Sequence, residues 1–596
     1  MDYQLRTPTI PLSMELTAVE RVLSNRGIKP QDIKHYLNTT NDDILNPNLI
    51  ANMDAGVKML ISHIANNERI MIQVDSDCDG FTSAATLINY LNCLFPSFAQ
   101  NNIYYRLHTG KEHGILLNTI PEDVKLVIAP DSSSNDYDEH AALAAQGVDV
   151  LVIDHHEAEK VSEHACVINN QLCDYPTKSL SGVGMVYKFC AYIDSLMNVD
   201  YAEQFLDLVA LGMVADMMPL TDFETKHLIS LGLSNLRNPF FYAMVRKNEY
   251  SLRDGVTPMG VAFYIAPYVN ATIRMGTHEE KMILFESMLD FKGYEQIPST
   301  KRGCRGQMET RVEQACRNCA NIKSRQTKAR DSMLEQIENI IAENNLLDNK
   351  ILAVKLKDMD VDKNLTGLIA NQLMAKYQRP VLLLNKVITT NIYLDELNHP
   401  MTIDTISWEG SGRGYDKSRF DDFREFMRQS GLAMYAEGHA NAFGAGILDS
   451  EFSTFVQYSN QALESFDFSP CYTVDFIFDG GNFKGGDIVE LAELKGLWGQ
   501  GLEEPFIAVE NVKVTSANIT LMSADKNPTL KISLPNGTSL IKFKSSIEEY
   551  EKLKSTNGLI TLNVVGKCER NIWNGTVTPQ IIIEDYEITN VIDYYF

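Results

Sequence analysis

Apolar and polar positions follow different rhythms in successive stretches of the chain. Residues 1–50 read as helical with polar breaks, and the amphipathic run Met53–Ala65 predicts a helix after them. From Arg69 short apolar runs alternate with helical patterns. The runs are Ile70–Val74, Leu126–Ala129 and Val148–Ile153, with Ile103–Tyr105 as a shorter one. That alternation predicts a parallel sheet flanked by helices. A helical region is expected over 180–300. Met333, Leu334, Ile337, Ile340 and Ile341 have helical spacing, so 305–345 reads as a long helix joining two domains. A smaller α/β pattern comes next, with strand Ile351–Lys355, helix Leu365–Tyr377 and strand Val381–Leu384. In the last stretch Asn-Gly stands twice between β-rich runs, at Pro535-Asn536-Gly537 within Leu530–Phe543 and at Trp573-Asn574-Gly575 within Leu559–Ile583. Asn-Gly supplies the two positive-φ residues of a tight hairpin turn, so a small all-β barrel or sandwich is expected. The expected order is an N-terminal helical segment (1–50), a parallel-sheet α/β domain (51–300), a connecting helix (301–345), a smaller α/β domain (346–465) and an all-β domain (466–596).

Composition narrows the class. With 596 residues, 44% hydrophobic and 22% charged, the chain fits a soluble multidomain protein and excludes collagen-like, disulfide-scaffold and disordered classes. The net charge of −25 excludes a general polyanion-binding surface. A nucleic-acid partner would need basic groups gathered locally, or metal ions. Such a gathering exists at 301–330, where Lys301, Arg302, Arg305, Arg311, Arg317, Lys323, Arg325, Lys328 and Arg330 face only Glu309 and Glu313. Its plain reading is a solvated helix face; its functional reading is a track for a strand's phosphates. Ten irregularly spaced cysteines suggest a reducing compartment. Cys316-Arg317-Asn318-Cys319 lacks a partner pair, so no zinc site is expected. Met1–Leu12 has no signal-peptide core, and no stretch of ~20 apolar residues suggests a membrane span. A cytoplasmic place, bacterial or in a phage-infected host, is the expectation. No phosphate-loop lysine motif occurs, which disfavours an ATP-driven motor.

The candidate chemistry lies where apolar runs end in acids. Ile70–Val74 leads into Asp75-Ser76-Asp77-Cys78-Asp79-Gly80, Leu126–Ala129 into Pro130-Asp131, and Val148–Ile153 into Asp154-His155-His156. Ligands of an open parallel sheet sit at the carboxyl ends of its strands, where such side chains converge. A fourth acid, Asp216, follows the buried-looking run Asp207–Val214 and could reach the same edge. An Asp after a strand is, taken alone, a helix cap or turn residue. An EF-hand is disfavoured, because Ala85 and Thr86 stand where its Glu is needed. Clustered carboxylates repel each other unless cations are bound. Carboxylate and imidazole without thiolate suit Mn²⁺ or Mg²⁺. Two such ions held by shared carboxylates activate a water, grip a phosphate and neutralise the leaving oxygen.

Asp75–Gly80, Asp131, Asp154-His155-His156 and Ala215-Asp216 resemble, in order, the four motifs of the DHH phosphoesterase superfamily. More narrowly, the chain resembles RecJ single-strand exonucleases. The supporting segments are Ser179–Gly184, Asp207–Gly212, Ala266–Ala271 with Arg274-Met275, Gly410–Gly414 and Gly438–Ala442, the last two like a DHHA1 domain. Leu497-Trp498-Gly499-Gln500-Gly501 with Pro505 resembles the entry to the RecJ OB-fold domain. The resemblance implies metal ligands Asp77, Asp79, Asp131, His155 and Asp216, with Asp131 bridging two ions and Asp75 a ligand or an orienting partner. It implies that Asp154 orients one of the histidines, and that Asp131, His155 and His156 are catalytic, His156 meeting the scissile phosphate or leaving group. Substrate contacts are implied at Arg106, His113, Asn270 and Arg274, and across a second wall at Ser411, Arg413 and His439, with Gly410, Gly412 and Gly414 letting amides approach phosphates. Tyr268 and His113 depart from the pattern, which has Arg and an aromatic there. The OB-like part would grip a single strand. Trp573, Phe543 and Tyr472 are candidates there, with core packing as the plainer role. The implied activity is 5′→3′ hydrolysis of single-stranded DNA to 5′-mononucleotides by a monomer, with a single-strand-binding protein or helicase as partner by analogy. The alternatives are an oligonucleotide or cyclic-dinucleotide phosphodiesterase and a non-catalytic replication scaffold. The β-rich tail weighs against the first, and the complete set of acids against the second.

Overall fold

A computed structural model describes the chain except residues 7–15, 109–111, 254, 305, 358, 360–362, 395–399 and 594–596. It divides into two compact units. One comprises Thr7–Lys323 with Val489–Pro505, the other Met1–Arg6, Ser324–Ile488 and Phe506–Phe596.

The first unit is built on a parallel sheet. Its described strands are β1 (Arg69–Val74), β2 (Ile103–Leu107), β3 (Val124–Pro130), β4 (Asp149–Asp154) and β5 (Cys166–Asn169), and their spatial order is β2-β1-β3-β4-β5. Five residues of β1 in a row are buried, as are five of β4. Helices cover both faces, so these strands are continuous apolar runs rather than alternating ones. Helices α1 (Cys78–Leu94), α2 (Gly182–Met197) and α3 (Leu206–Ala215) pack together against the carboxyl-end edge of the sheet. Every residue from Leu206 to Val214 is buried, which requires a helix apolar on all sides. The chain leaves β1 toward β2 and returns to the other side at β3. A crevice therefore opens between the carboxyl ends of β1 and β3, the place where acids were expected.

An ion pair is sealed inside this unit. Lys188 Nζ lies 2.6 Å from Glu224 Oε1, with side chains 0% and 1% exposed. The Tyr175 hydroxyl donates to both Glu224 oxygens at 2.9 Å, and Lys188 also donates to the Leu45 carbonyl. Such a pair gains little over an apolar substitute, but one partner left alone is a buried, uncompensated charge.

The second unit holds a mixed sheet whose described strands run in the order Ala433–His439, Ala442–Leu448, Pro400–Arg413, Val381–Leu394, Leu352–Leu356. Only its Leu352–Leu356 pairing with Val381–Leu394 is parallel. A separate sheet of seven described strands, from Phe476–Asp479 to Thr576–Asp593, forms the C-terminal β part. Both Asn-Gly sites are hairpin turns, with φ of 83° at Gly537, 48° at Asn574 and 77° at Gly575.

Two expectations change. Asp2–Leu5 is not helical but a strand paired in parallel with Cys471–Val474; its partner is too distant in sequence for a local pattern to reveal. The long helix is Arg311–Glu343, starting after an antiparallel pairing of Met308–Thr310 with Gln296–Pro298; Arg305 lies outside the described residues. The Leu497–Gly501 segment, expected at the entry to the β part, stands just before the strand Phe506–Thr515 and packs within the first unit. There the Leu220 N–H donates to Gln500 O at 2.8 Å, and Trp498 is 1% exposed.

Lys188→Met should cost about 3–5 kcal/mol by stranding Glu224. Adding Glu224→Gln should restore much of it, read as the urea midpoint of the first unit. A double variant no more stable than the single one would contradict this account of the pair.

Candidate metal centre

The crevice is assembled from chain turns at the ends of three strands and one helix. Past β1, Asp77 caps α1 by accepting the Gly80 N–H at 2.9 Å. Asp79, in the first turn, accepts the Ser181 hydroxyl at 2.9 Å and the N–H groups of Gly182 at 2.6 Å and Val183 at 3.3 Å. The start of α2 thus aims its donors at one carboxylate. Past β3, Asp131 adopts φ 68°, a strained setting that turns its side chain into the crevice. Past β4, Asp154 Oδ1 accepts the His155 N–H and His156 Nδ1, both at 2.8 Å, and Oδ2 accepts the Ser134 N–H at 3.2 Å. Asp216 follows α3 directly. Two glycines make room: a Cβ at Gly182 would run into the Asp131 carboxylate, and one at Gly212 into Asp79 and Thr82.

Asp75 is held differently. Its Oδ1 meets His108 Nδ1 at 3.0 Å and His113 Nδ1 at 2.9 Å, and His108 Nε2 reaches the Gly114 carbonyl at 2.8 Å. Burial would raise the Asp75 pKa, but the two imidazoles outweigh it and bring it down to about 2. Asp154 is likewise held low: burial opposes this, but the His156 ring prevails. His156 is pushed up to about 9 by that same hydrogen bond.

The other acids are destabilised. Burial, then the Asp79 charge, pushes Asp77 up to about 6 and Asp216 up to about 8, and Asp131 moves well above the carboxylate range for the same reasons. Burial lowers His155. Asp131 Oδ1 and Asp216 Oδ2 are buried without a hydrogen-bond donor, while His155 Nε2 stands 3.2 Å and 3.6 Å from them. Orphaned buried carboxylate oxygens in such a field call for cations. The donors fit: ligand atoms of Asp75, Asp77 and Asp131 lie within 4.8 Å of one another, as do those of Asp79, His155 and Asp216. The two triads share no residue. A third group, Asp131 with Asp154, His155 and His156, overlaps both. An all-carboxylate and imidazole set suits a hard divalent ion such as Mn²⁺ or Mg²⁺.

The expected substrate residues fall into two sets. In the first unit, Arg106 sits on β2 with Nη2 on Glu112, while His113 faces His156 with ring centroids 6.1 Å apart. Asn270 and Arg274 are one turn apart on α4 (Ala266–Met275), Arg274 exposed and Asn270 Oδ1 buried without a donor. In the second unit, the Ser411 hydroxyl pairs with Thr366 Oγ1 at 2.9 Å, Arg413 Nη1 donates to the Gly412 carbonyl at 2.6 Å, and His439 is exposed at a strand end. Gly410 and Gly412 belong to a strand, not to a phosphate-cradling loop. A Cβ at 410 would collide with the Leu383 carbonyl and one at 412 with the Phe443 ring, so both glycines serve sheet packing.

The basic stretch is partly spent on internal pairs. Arg311 binds Glu286 and Glu295 at 2.6 Å, Arg317 binds Glu309, and Arg330 binds Asp331 at 2.7 Å. For these three a phosphate track is not the primary role. Trp573 and Phe543 are 72% and 58% exposed, against the core role expected for them, whereas Tyr472 stacks on Phe506. Sequence reasoning missed His108, Ser134, Ser181 and Glu112, whose partners lie on other strands or loops. Only Ser181 carried a signal, within the Ser179–Gly184 segment.

Comparison with known proteins agrees with this architecture. Residues 69–213 match the DHH family, N-terminal domain, and residues 485–585 the RecJ OB domain. A relative from Bacillus subtilis (strain 168), named "Putative SPbeta prophage-derived single-strand DNA-specific exonuclease YorK", is 37% identical over 573 residues, covering 95% of each chain. The single-stranded-DNA-specific exonuclease RecJ of the same organism is 23% identical, over 96% of this chain and 68% of its own. The crystal structure of Thermus thermophilus RecJ in complex with Mn²⁺ superposes with a TM-score of 0.68 at 17% identity, covering 99% of this chain and 80% of that one, a likeness of fold. By its motifs and by its full-length kinship to a 37% identical relative, the chain belongs to the RecJ-like DHH family.

Proposed function

We propose that the protein is an exonuclease that hydrolyses phosphodiester bonds of single-stranded DNA in the 5′→3′ direction and releases 5′-mononucleotides. The observation that carries this is the pair of disjoint triads, Asp75–Asp77–Asp131 and Asp79–His155–Asp216, at one crevice. They would hold two divalent ions, Mn²⁺ or Mg²⁺. When bound, such ions supply Lewis-acid activation of water and charge neutralisation at phosphate.

The chain's own groups divide the remaining work. Asp131, buried and grouped both with Asp75 and Asp77 and with His155, would be the ligand shared between the two ions. Asp154 fixes the His156 ring through Nδ1, so Nε2 is left to meet the scissile phosphate or its leaving oxygen. Arg106, Arg274, Asn270 and His113 offer donors to the strand on the catalytic side, and Ser411, Arg413 and His439 are the substrate contacts of the second unit. Single strands named in the relatives' titles and a match to the RecJ OB domain support DNA without a complement as substrate. Among the described residues no helix is long and apolar enough to cross a membrane, and the ten cysteines are free. Both support a cytoplasmic place. A monomer, assisted by a single-strand-binding protein or helicase, completes the proposal.

Asp131→Ala should lower Mn²⁺-dependent nucleotide release by about a thousandfold or more while circular dichroism stays unchanged; equal turnover would reject the site. On a long strand labelled at its 5′ end, the label should leave first as a mononucleotide. Early loss of a 3′ label would reverse the polarity. Gly182→Ala should displace the Asp131 carboxylate and weaken Mn²⁺ binding about 10–100-fold, read by electron paramagnetic resonance. Wild-type affinity in that variant would show that the close approach is not needed.

A further inference from the structure

Arg106, the expected phosphate donor of β2, is already occupied by an anion. Both Glu112 carboxylate oxygens face its Nη2, at 3.2 Å and 2.9 Å, and its Nη1 is buried with no acceptor. The pair is half-buried, with side chains 23% and 32% exposed. Glu112 is also pinned from behind. The Ser76 hydroxyl, between Asp75 and Asp77, donates to its carbonyl at 3.3 Å. A second cation stands nearby. Lys281, on the helix His278–Ser287, is 6% exposed; burial lowers its pKa, and the charge of Glu112 pulls it back.

A guanidinium held by one carboxylate is a ready phosphate site, because phosphate and carboxylate match the same donor fork. The carboxylate uses that fork incompletely. Nη1 is left unpaired, an unmade bond that costs about 1–3 kcal/mol and that the two non-bridging oxygens of a strand phosphate, spanning both Nη atoms, could satisfy. We propose that Glu112 is a specificity-determining phosphate surrogate: it holds the Arg106 site closed, and the strand's phosphate must displace it to bind. This rests on the proposed single-strand exonuclease reading and deepens it. Its consequence is discrimination by charge number. A strand displaces Glu112 with several phosphates held at once, whereas a mononucleotide product has one phosphate with which to do so. The surrogate therefore speeds product departure and disfavours short ligands.

The test is Glu112→Gln, which keeps shape and removes charge. On a 5′-labelled single strand KM should fall about tenfold, with the effect on KM rather than on kcat. Inhibition by a 5′-mononucleotide should strengthen. Strand affinity should depend more steeply on salt, by about 0.7 in the slope of log K against log salt, since in the wild type the displaced Glu112 takes up a cation that offsets one released from the strand. In an Arg106→Ala background Glu112→Gln should leave KM unchanged, because the two act on one contact. An unchanged or raised KM with an unchanged salt slope would overturn the proposal and make Glu112 a support for Arg106. Fluorescence anisotropy of the labelled strand with EDTA present reads the same contrast without hydrolysis. If the wild type cuts no single strand, the exonuclease reading fails, while this titration still decides on Glu112.

Discussion

Mutual repulsion among carboxylates is the constraint around which the catalytic unit is organised. Asp75, Asp79, Asp131 and Asp154 are all at most 7% exposed, and they stand near Asp77 and Asp216. In a low-dielectric crevice such charges cannot coexist unaided. The chain answers in two ways. Asp75 and Asp154 are each given imidazole donors and stay ionised. Asp77, Asp131 and Asp216 are left short of donors, with carboxyl groups raised by burial and by each other. That division separates acids whose charge imidazoles of the protein already meet, Asp75 keeping an oxygen for an ion, from acids left short of donors.

The fold supplies the geometry. A parallel sheet with β1 at its switch point brings three chain turns to one edge, and α3 delivers Asp216 to it. Small residues set the spacing: Gly182 lets α2 approach Asp131, and Gly212 lets α3 approach Asp79. The protein therefore places strain, burial and glycine at the same few positions, as expected where function competes with stability.

Much of this was legible in the sequence. The strands β1, β3 and β4 were visible as apolar runs because they are buried on both faces, and the acids after them followed from the sheet rule. The two Asn-Gly hairpins were legible because turn chemistry is local. What escaped depends on contacts between distant segments. The strand Asp2–Leu5 needs Cys471–Val474 to exist. His108 looks like any loop histidine until its ring is seen to bond Asp75, 33 residues earlier. The glycines at 410 and 412 invite a phosphate-loop reading, but backbone and ring packing explain them. The positive run at 301–330 loses part of its meaning once Arg311 and Arg317 are seen to close on Glu286, Glu295 and Glu309.

The central claim is that two separate ligand triads hold two ions. Anomalous diffraction at the manganese edge, from crystals grown with Mn²⁺, addresses it most directly. The account predicts two peaks per chain, one among Asp75, Asp77 and Asp131 and the other among Asp79, His155 and Asp216. A single peak, or peaks away from these side chains, would contradict it.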